Sequence, residues 1–173
     1  MAANSSRLLS LLEAHGAELH ALFTRLTLRA GAAEDLLQDL FLKLQDADGL
    51  VRAADPKAYL FRAAVNLAFD WRRAQRRTAP LRNEPAGVGL PPLDRLISVE
   101  ELEQVLDALL QLSELGRQVL VLRYLQGQEY GDIAAHLGKT AHQVRALCSK
   151  ALEQLRLIIR LPAQEPTQRG INP

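Results

Sequence analysis

Apolar residues recur at helical spacing along most of the chain, and almost no stretch alternates with period two. Over residues 7–29 the repeat is Leu8, Leu11, Leu12, Leu19, Leu22, Phe23 and Leu26, with Gly16 as a candidate interruption. Gly31 breaks the pattern. A second helix is expected from near Ala32, with Glu34 and Asp35 in its first turn, where the helix dipole favours acids. It buries Leu36, Leu37, Leu40, Phe41 and Leu44 and leaves Asp35, Gln38, Asp39 and Lys43 outside. Residues 47–54, with Asp48-Gly49, read as a loop. Asp55-Pro56 restarts a helix, aspartate as N-cap and proline in the first turn. Its inner stripe is Leu60, Ala63, Ala64, Leu67 and Ala68, with Tyr59, Phe61, Phe69 and Trp71 spread around it.

Residues 78–92 hold four of the eight prolines together with Gly87 and Gly89, a composition that reads as a linker. Beyond it, Ser98 and Glu101 form a capping-box pattern ahead of Leu102, Val105, Leu106, Leu109 and Leu110. Ser113 can cap the next helix, which Gly127 ends. Residues 130–155 then show two helical patterns around a Leu137-Gly138-Lys139 turn. Ile133, Ala134 and Leu137 share a face before it; Val144, Leu147, Ala151, Leu152 and Leu155 share one after it. Gly138 suits a left-handed turn position, and Thr140 with Gln143 is a second capping box. This is a helix-turn-helix pattern, whose second helix normally enters the DNA major groove. A helical hairpin with a glycine turn also serves bundles that never touch DNA. The outward His142, Gln143, Arg145, Ser149 and Lys150 favour the DNA reading, because basic and amide groups reach phosphates and base edges. The tail, 161–173, reads as disordered.

Composition narrows this further. Apolar residues are 48% of 173 and aromatics only 5%, so the expected fold is all-α, with cores of Leu, Ala and Val. The net charge of +1 averages unlike segments. Residues 33–48 carry five acids against Lys43, and residues 62–82 carry six arginines against Asp70. That split suggests an acidic protein-binding face beside a nucleic-acid-binding face; the plain alternative is two solvated helix faces. Arg72, Arg73, Arg76 and Arg77 exceed what a helix C-terminus needs, and interleaved aromatics suit a surface that stacks on bases and holds phosphates. Core packing is the alternative role for Tyr59, Phe61 and Trp71. Cys148 is the single cysteine, which excludes an intrachain disulfide and fits a cytoplasmic location. The start of the chain does not read as a signal peptide, and no apolar run is long enough to span a membrane. His15, His20, His136 and His142 are scattered without an HExxH pattern, although His15 with Glu18 and His136 with Asp132 are conceivable pairs; a metal site needs convergent ligands.

Taken in order, three stretches resemble one family. AEDLLQDLFLKL (33–44), DPKAYLFRAAVNLAFDWRRAQRR (55–77) and LGRQVLVLRYLQGQEYGDIAAHLGKTAHQVRALCSKALEQLR (115–156) are similar to the extracytoplasmic-function (ECF) sigma factors, the minimal two-domain sigma type. The resemblance covers roughly 7–160, with the linker where the family has it. Ser113-Glu114 stands where the family often has proline, Gly131-Asp132 where acidic pairs are usual, and Lys150 where arginine is frequent. The WRRAQRR ending resembles the iron-starvation subgroup.

The resemblance implies region 2 over 1–78, a linker over 79–95 and region 4 over 96–160. It implies a non-enzyme without cofactor, metal or small-molecule substrate. Asp35, Gln38, Asp39 and Phe41 would meet the clamp helices of the RNA polymerase beta-prime subunit. The 46–54 loop with Asn66 would capture a flipped minus-ten base, near Trp71, and Arg72, Arg73, Arg76 and Arg77 would hold promoter phosphates. His142, Gln143, Arg145, Ser149 and Lys150 would read the minus-thirty-five groove, while Lys139 and Thr140 meet phosphate. The apolar face of 115–125 would partly meet the beta flap. An anti-sigma factor is the further implied partner. The competing reading is a stand-alone helix-turn-helix regulator, which leaves the acidic 33–44 helix without a role.

Overall fold

The computed structural model of the chain describes residues 2–78 and 98–160; the expected linker and the expected disordered tail lie outside the described residues. The fold is all-α, with no strand among the described residues. The first helix, α1 (Ala2–Thr27), runs through Gly16 without a break. Its buried stripe of Leu8, Leu19, Leu22, Phe23 and Leu26 outweighs the roughly 1 kcal/mol that one interior glycine costs.

The break after α1 falls at Leu28, not Gly31. Leu28 adopts φ +58°, and its N–H donates to the Thr24 carbonyl at 2.8 Å. A left-handed leucine costs on the order of 1–2 kcal/mol, but its side chain is 1% exposed, and burying a leucine returns about 1.5–3 kcal/mol. Burial therefore sets the turn. Gly31 lies inside α2 (Ala30–Gln45), so Glu34 and Asp35 sit beyond its first turn.

The expected loop at 47–54 contains a short helix, α3 (Asp48–Arg52), anchored by the fully buried Leu50. Five residues are too few to show a period. The Asn4 amide, which the sequence did not single out, donates to the Leu44 and Gln45 carbonyls at 3.0 and 2.7 Å and ties the start of α1 to the end of α2. Helix α4 (Pro56–Thr78) starts as expected: the Asp55 carboxylate accepts from the Ala58 N–H at 3.0 Å.

In the second half, α5 (Val99–Leu110) carries the full Ser98/Glu101 capping box, and Ser113 caps α6 (Glu114–Leu120). Helix α6 runs into a π-helical turn at Val121–Leu125, and Gly127 follows at φ +64°. Helices α7 (Tyr130–Leu137) and α8 (Ala141–Arg160) make the helix-turn-helix, with Gly138 at φ +62° between them. Val144, Cys148 and Ala151 of α8 join Ile133 and Ala134 of α7 in the buried core. Helices α1, α2 and α4 contact one another as a bundle, and α8 contacts α5, α6 and α7. One apolar cluster runs through both halves.

Candidate nucleic-acid interface

The outer face of α8 is the simplest surface. The capping box holds: the Thr140 hydroxyl oxygen accepts from the Gln143 N–H at 3.2 Å, and the Gln143 side chain accepts from the Thr140 N–H at 2.9 Å. His142, Gln143, Arg145, Ser149 and Lys150 are all exposed, with Lys139 half-buried beside the turn. Gln143 and Thr140 have a structural job here, whereas His142, Ser149 and Lys150 present their side chains outward. Arg145 lies over the Tyr130 ring at 5.5 Å, and Arg123 lies over the same ring at 4.8 Å. Tyr130 therefore steers Arg145, a role that sequence reasoning missed.

On α2, Asp35, Gln38 and Asp39 are exposed and Phe41 is half-buried. Leu42, one turn beyond Gln38 and Asp39, is 52% exposed. Positions 35, 38, 39 and 42 follow helical spacing, so α2 presents acids flanked by an exposed leucine. Leu42 was legible as the leucine that falls off the inward stripe.

The third surface, on α4, is covered only in part, at Arg72. Arg72 is 6% exposed; it donates to the Leu26 carbonyl at 3.2 Å, to Glu103 at 2.9 Å and to Asp107 at 3.0 Å. Arg76 pairs with the other Asp107 oxygen. Arg73 pairs with Asp70 at 2.8 Å on its own helix, and Arg77 is exposed, donating to the Arg73 carbonyl at 3.4 Å. Asn66 uses both ends of its amide: it donates to Glu114 at 2.8 Å and accepts from Gln118 at 2.8 Å. Gln118 also donates to Glu114 at 3.0 Å. Phe61 and Phe69 are in the core, which removes them as stacking surfaces in this arrangement, while Tyr59 and Trp71 are half-buried. Arg29 lies over the Trp71 ring at 5.8 Å, and Arg62 over Tyr59 at 5.6 Å.

Two further features mark this junction. Arg117 of α6 is 2% exposed and lies 4.8 Å over the Phe69 ring, with Nε and Nη1 lacking hydrogen-bond partners. Burial pushes its guanidinium pKa down, and the Arg73 charge adds to that. His136 of α7 places Nε2 2.9 Å from Asp55 rather than pairing with Asp132. The Asp55 carboxyl is held below its usual value, first by the Ala58 N–H and, among smaller causes, by His136. His15 does pair with Glu18, at 3.4 Å. No three metal-ligating side chains cluster among the described residues. Glu103 and Asp107 were missed as partners, although their i,i+4 spacing puts both on one face of α5. A cleft of about 570 Å³ remains between the halves, lined by Lys43, Tyr59, Arg62, Asn66, Glu114 and Gln118 among others.

An all-helical chain with a basic helix-turn-helix face, an arginine-rich helix and a separate acidic face is built as a two-module DNA-binding protein. Its sequence matches the family descriptions Sigma-70 region 2 over residues 11–78 and Sigma-70, region 4 over residues 108–157. It is 32% identical over 157 residues to the ferric citrate uptake sigma factor FecI of Escherichia coli, covering 88% of this chain and 90% of that protein. It is 31% identical over 171 residues to the ECF RNA polymerase sigma factor SigL of Mycobacterium tuberculosis, covering 92% of each. A 30% match to a longer Xanthomonas campestris protein named "Probable RNA polymerase sigma factor RfaY" spans 36% of that protein. Among solved structures, CnrH in complex with the cytosolic domain of CnrY shares the fold, with TM-score 0.50 and 23% identity over 87% of this chain and 85% of that one. The chain belongs to the sigma-70 family and is an RNA polymerase sigma factor of the ECF type. Sigma factors as a class are not enzymes. No described helix is long and apolar enough to cross a membrane.

Proposed function

We propose that this sigma factor docks on core RNA polymerase through the α2 face of Asp35, Gln38, Asp39 and Phe41, extended by Leu42. The observation that carries this reading is that α2 presents its acids and an exposed leucine on one face, free of the α4 junction. The α4 residues Asn66, Trp71, Arg72, Arg73, Arg76 and Arg77 engage and help to melt the minus-ten element. Helix α8 reads the minus-thirty-five groove with His142, Arg145, Ser149 and Lys150, each good base contact supplying about 1–3 kcal/mol of discrimination. Lys139, Thr140 and Gln143 set its position on phosphate and its N-terminal geometry. The protein works in the cytoplasm, performs no catalysis itself, needs no cofactor or small-molecule substrate, and is restrained by an anti-sigma factor. Region 2 ends at about 78 and region 4 begins at about 96.

Run-off transcription with purified core polymerase on a promoter library tests this. Protein-dependent transcripts from discrete starts are expected. Asp35→Lys with Asp39→Lys is expected to abolish core binding while far-ultraviolet circular dichroism stays unchanged. Retained holoenzyme formation by that variant refutes the docking face. Duplex binding without core, and no core binding, would make the chain a stand-alone regulator.

A further inference from the structure

We infer that Ala146, at the centre of the outer face of α8, takes the 5-methyl group of a thymine in the minus-thirty-five element. The inference rests on the proposed reading of that groove by α8 and adds a base signal that the polar side chains of the face do not use. Ala146 is exposed, three or four residues from each of His142, Gln143, Ser149 and Lys150, so these four surround it on the helix surface. Against it lies a shallow depression of about 300 Å³, lined by Lys139, Gln143, Ala146, Leu147 and Lys150. The walls of the depression are almost wholly carbon. Leu147 is half-buried and also packs against the core, which fixes that wall in place.

Two observations select the occupant. The first is the lack of hydrogen-bonding groups where the depression meets the groove. The side chains of Ala146 and Leu147 have none, and Gln143 turns its side-chain oxygen back to the Thr140 N–H at 2.9 Å. In the major groove guanine shows N7 and O6, adenine N7 and an amino group, and cytosine an amino group; thymine alone adds a methyl. A polar base edge set against this surface loses its water and gains no partner, which is penalised, whereas a methyl group gains from the same burial. The second is charge. Lys139 precedes the depression along the chain and Lys150 follows it, so cations stand on both its N-terminal and C-terminal sides. A thymine methyl in duplex DNA has phosphates on either side of it for these cations to meet, whereas an apolar protein segment leaves them unused. Ala146 therefore discriminates by shape and desolvation, while His142, Arg145 and Ser149 around it discriminate by hydrogen bonds.

The test uses the full chain as holoenzyme with core polymerase, and duplexes selected from a pool randomised at the minus-thirty-five element. Each thymine of the selected element, on either strand, is replaced in turn by deoxyuridine, which lacks only the methyl, and affinity is read by filter binding. One replacement is expected to weaken binding about fourfold, the loss of one buried methyl group. Ala146→Asn puts an amide at the contact and is expected to bind the thymine and uracil duplexes equally and to accept adenine at that position. Ala146→Gly removes the Cβ alone and is expected to shrink the uracil effect. Uracil tolerated at every position, or a selected element without an A·T pair, overturns the methyl contact. A uracil effect of undiminished size in both Ala146 variants assigns the methyl to another side chain and overturns it as well. Base-pair transversions across the element separate this failure from that of the groove reading. If transversions weaken binding while uracil does not, α8 reads the groove without a methyl contact. If no sequence is enriched and no transversion matters, the groove reading falls and the methyl contact with it.

Discussion

Arg72→Met separates two roles that the sequence could not tell apart. Methionine keeps most of the apolar stem and removes the guanidinium. Lost with it are the hydrogen bonds to the Leu26 carbonyl, Glu103 and Asp107. Charge-assisted bonds contribute about 1.5–3 kcal/mol each when buried. The Glu103 and Asp107 side chains are 41% and 29% exposed, however, so they regain water, and Asp107 keeps Arg76. The buried arginine also carries its own desolvation cost, which methionine removes. Those corrections leave a net destabilisation of about 2 kcal/mol, mostly from the carbonyl at the end of α1 and the loss of the α4–α5 tie. With a urea m-value of roughly 2 kcal/mol/M, the unfolding midpoint should fall by about 1 M at unchanged m. Arg73→Met is the control: its pair with Asp70 is local and exposed, worth under about 1 kcal/mol. Urea unfolding followed by circular dichroism reads both. If Arg72→Met costs no more than Arg73→Met, Arg72 is not a strut between α1, α4 and α5.

Three further outcomes are expected. Gly138→Ala meets open space but takes φ +62°, so it should cost about 1–2 kcal/mol and lower Tm by a few degrees, whereas Gly131→Ala inside α7 should raise Tm; shifts of the same sign would refute the turn geometry. The Asp55 pKa is lowered from its usual 3.8, so its contribution is fully present above that value and is lost as pH falls through the lower folded value. Asp55→Ala should therefore lower Tm near neutral pH, by the equivalent of about 1 kcal/mol for a lost N-cap, and converge with wild type below pH 3.8; a constant gap down the acid limb would refute the assignment. Arg145→Ala should reduce promoter selectivity more than core affinity, while an equal loss at every promoter would show that Arg145 touches phosphate alone.

Local chemistry made much of this protein legible in advance. Capping boxes at Ser98/Glu101 and Thr140/Gln143, the Asp55 N-cap and the left-handed Gly138 each depend on residues a few positions apart, so their spacing is enough to locate them. Helical periodicity likewise placed α2, α4, α7 and α8, the acidic face of α2 and the outward face of α8. The break at Leu28 was not legible, because a left-handed leucine is sustained only by burial against other helices. Nor was α3, which one buried leucine holds in place. The environment of the arginine-rich helix was also hidden: Arg72 and Arg76 look identical to Arg73 and Arg77 along the chain. Their partners, Glu103 and Asp107, lie some thirty residues away across the linker. Pairing at that separation is decided when two helix faces meet, so the family and the faces of its helices follow from the sequence, while which cations are held across the linker and which only on their own helix follows only from the tertiary packing.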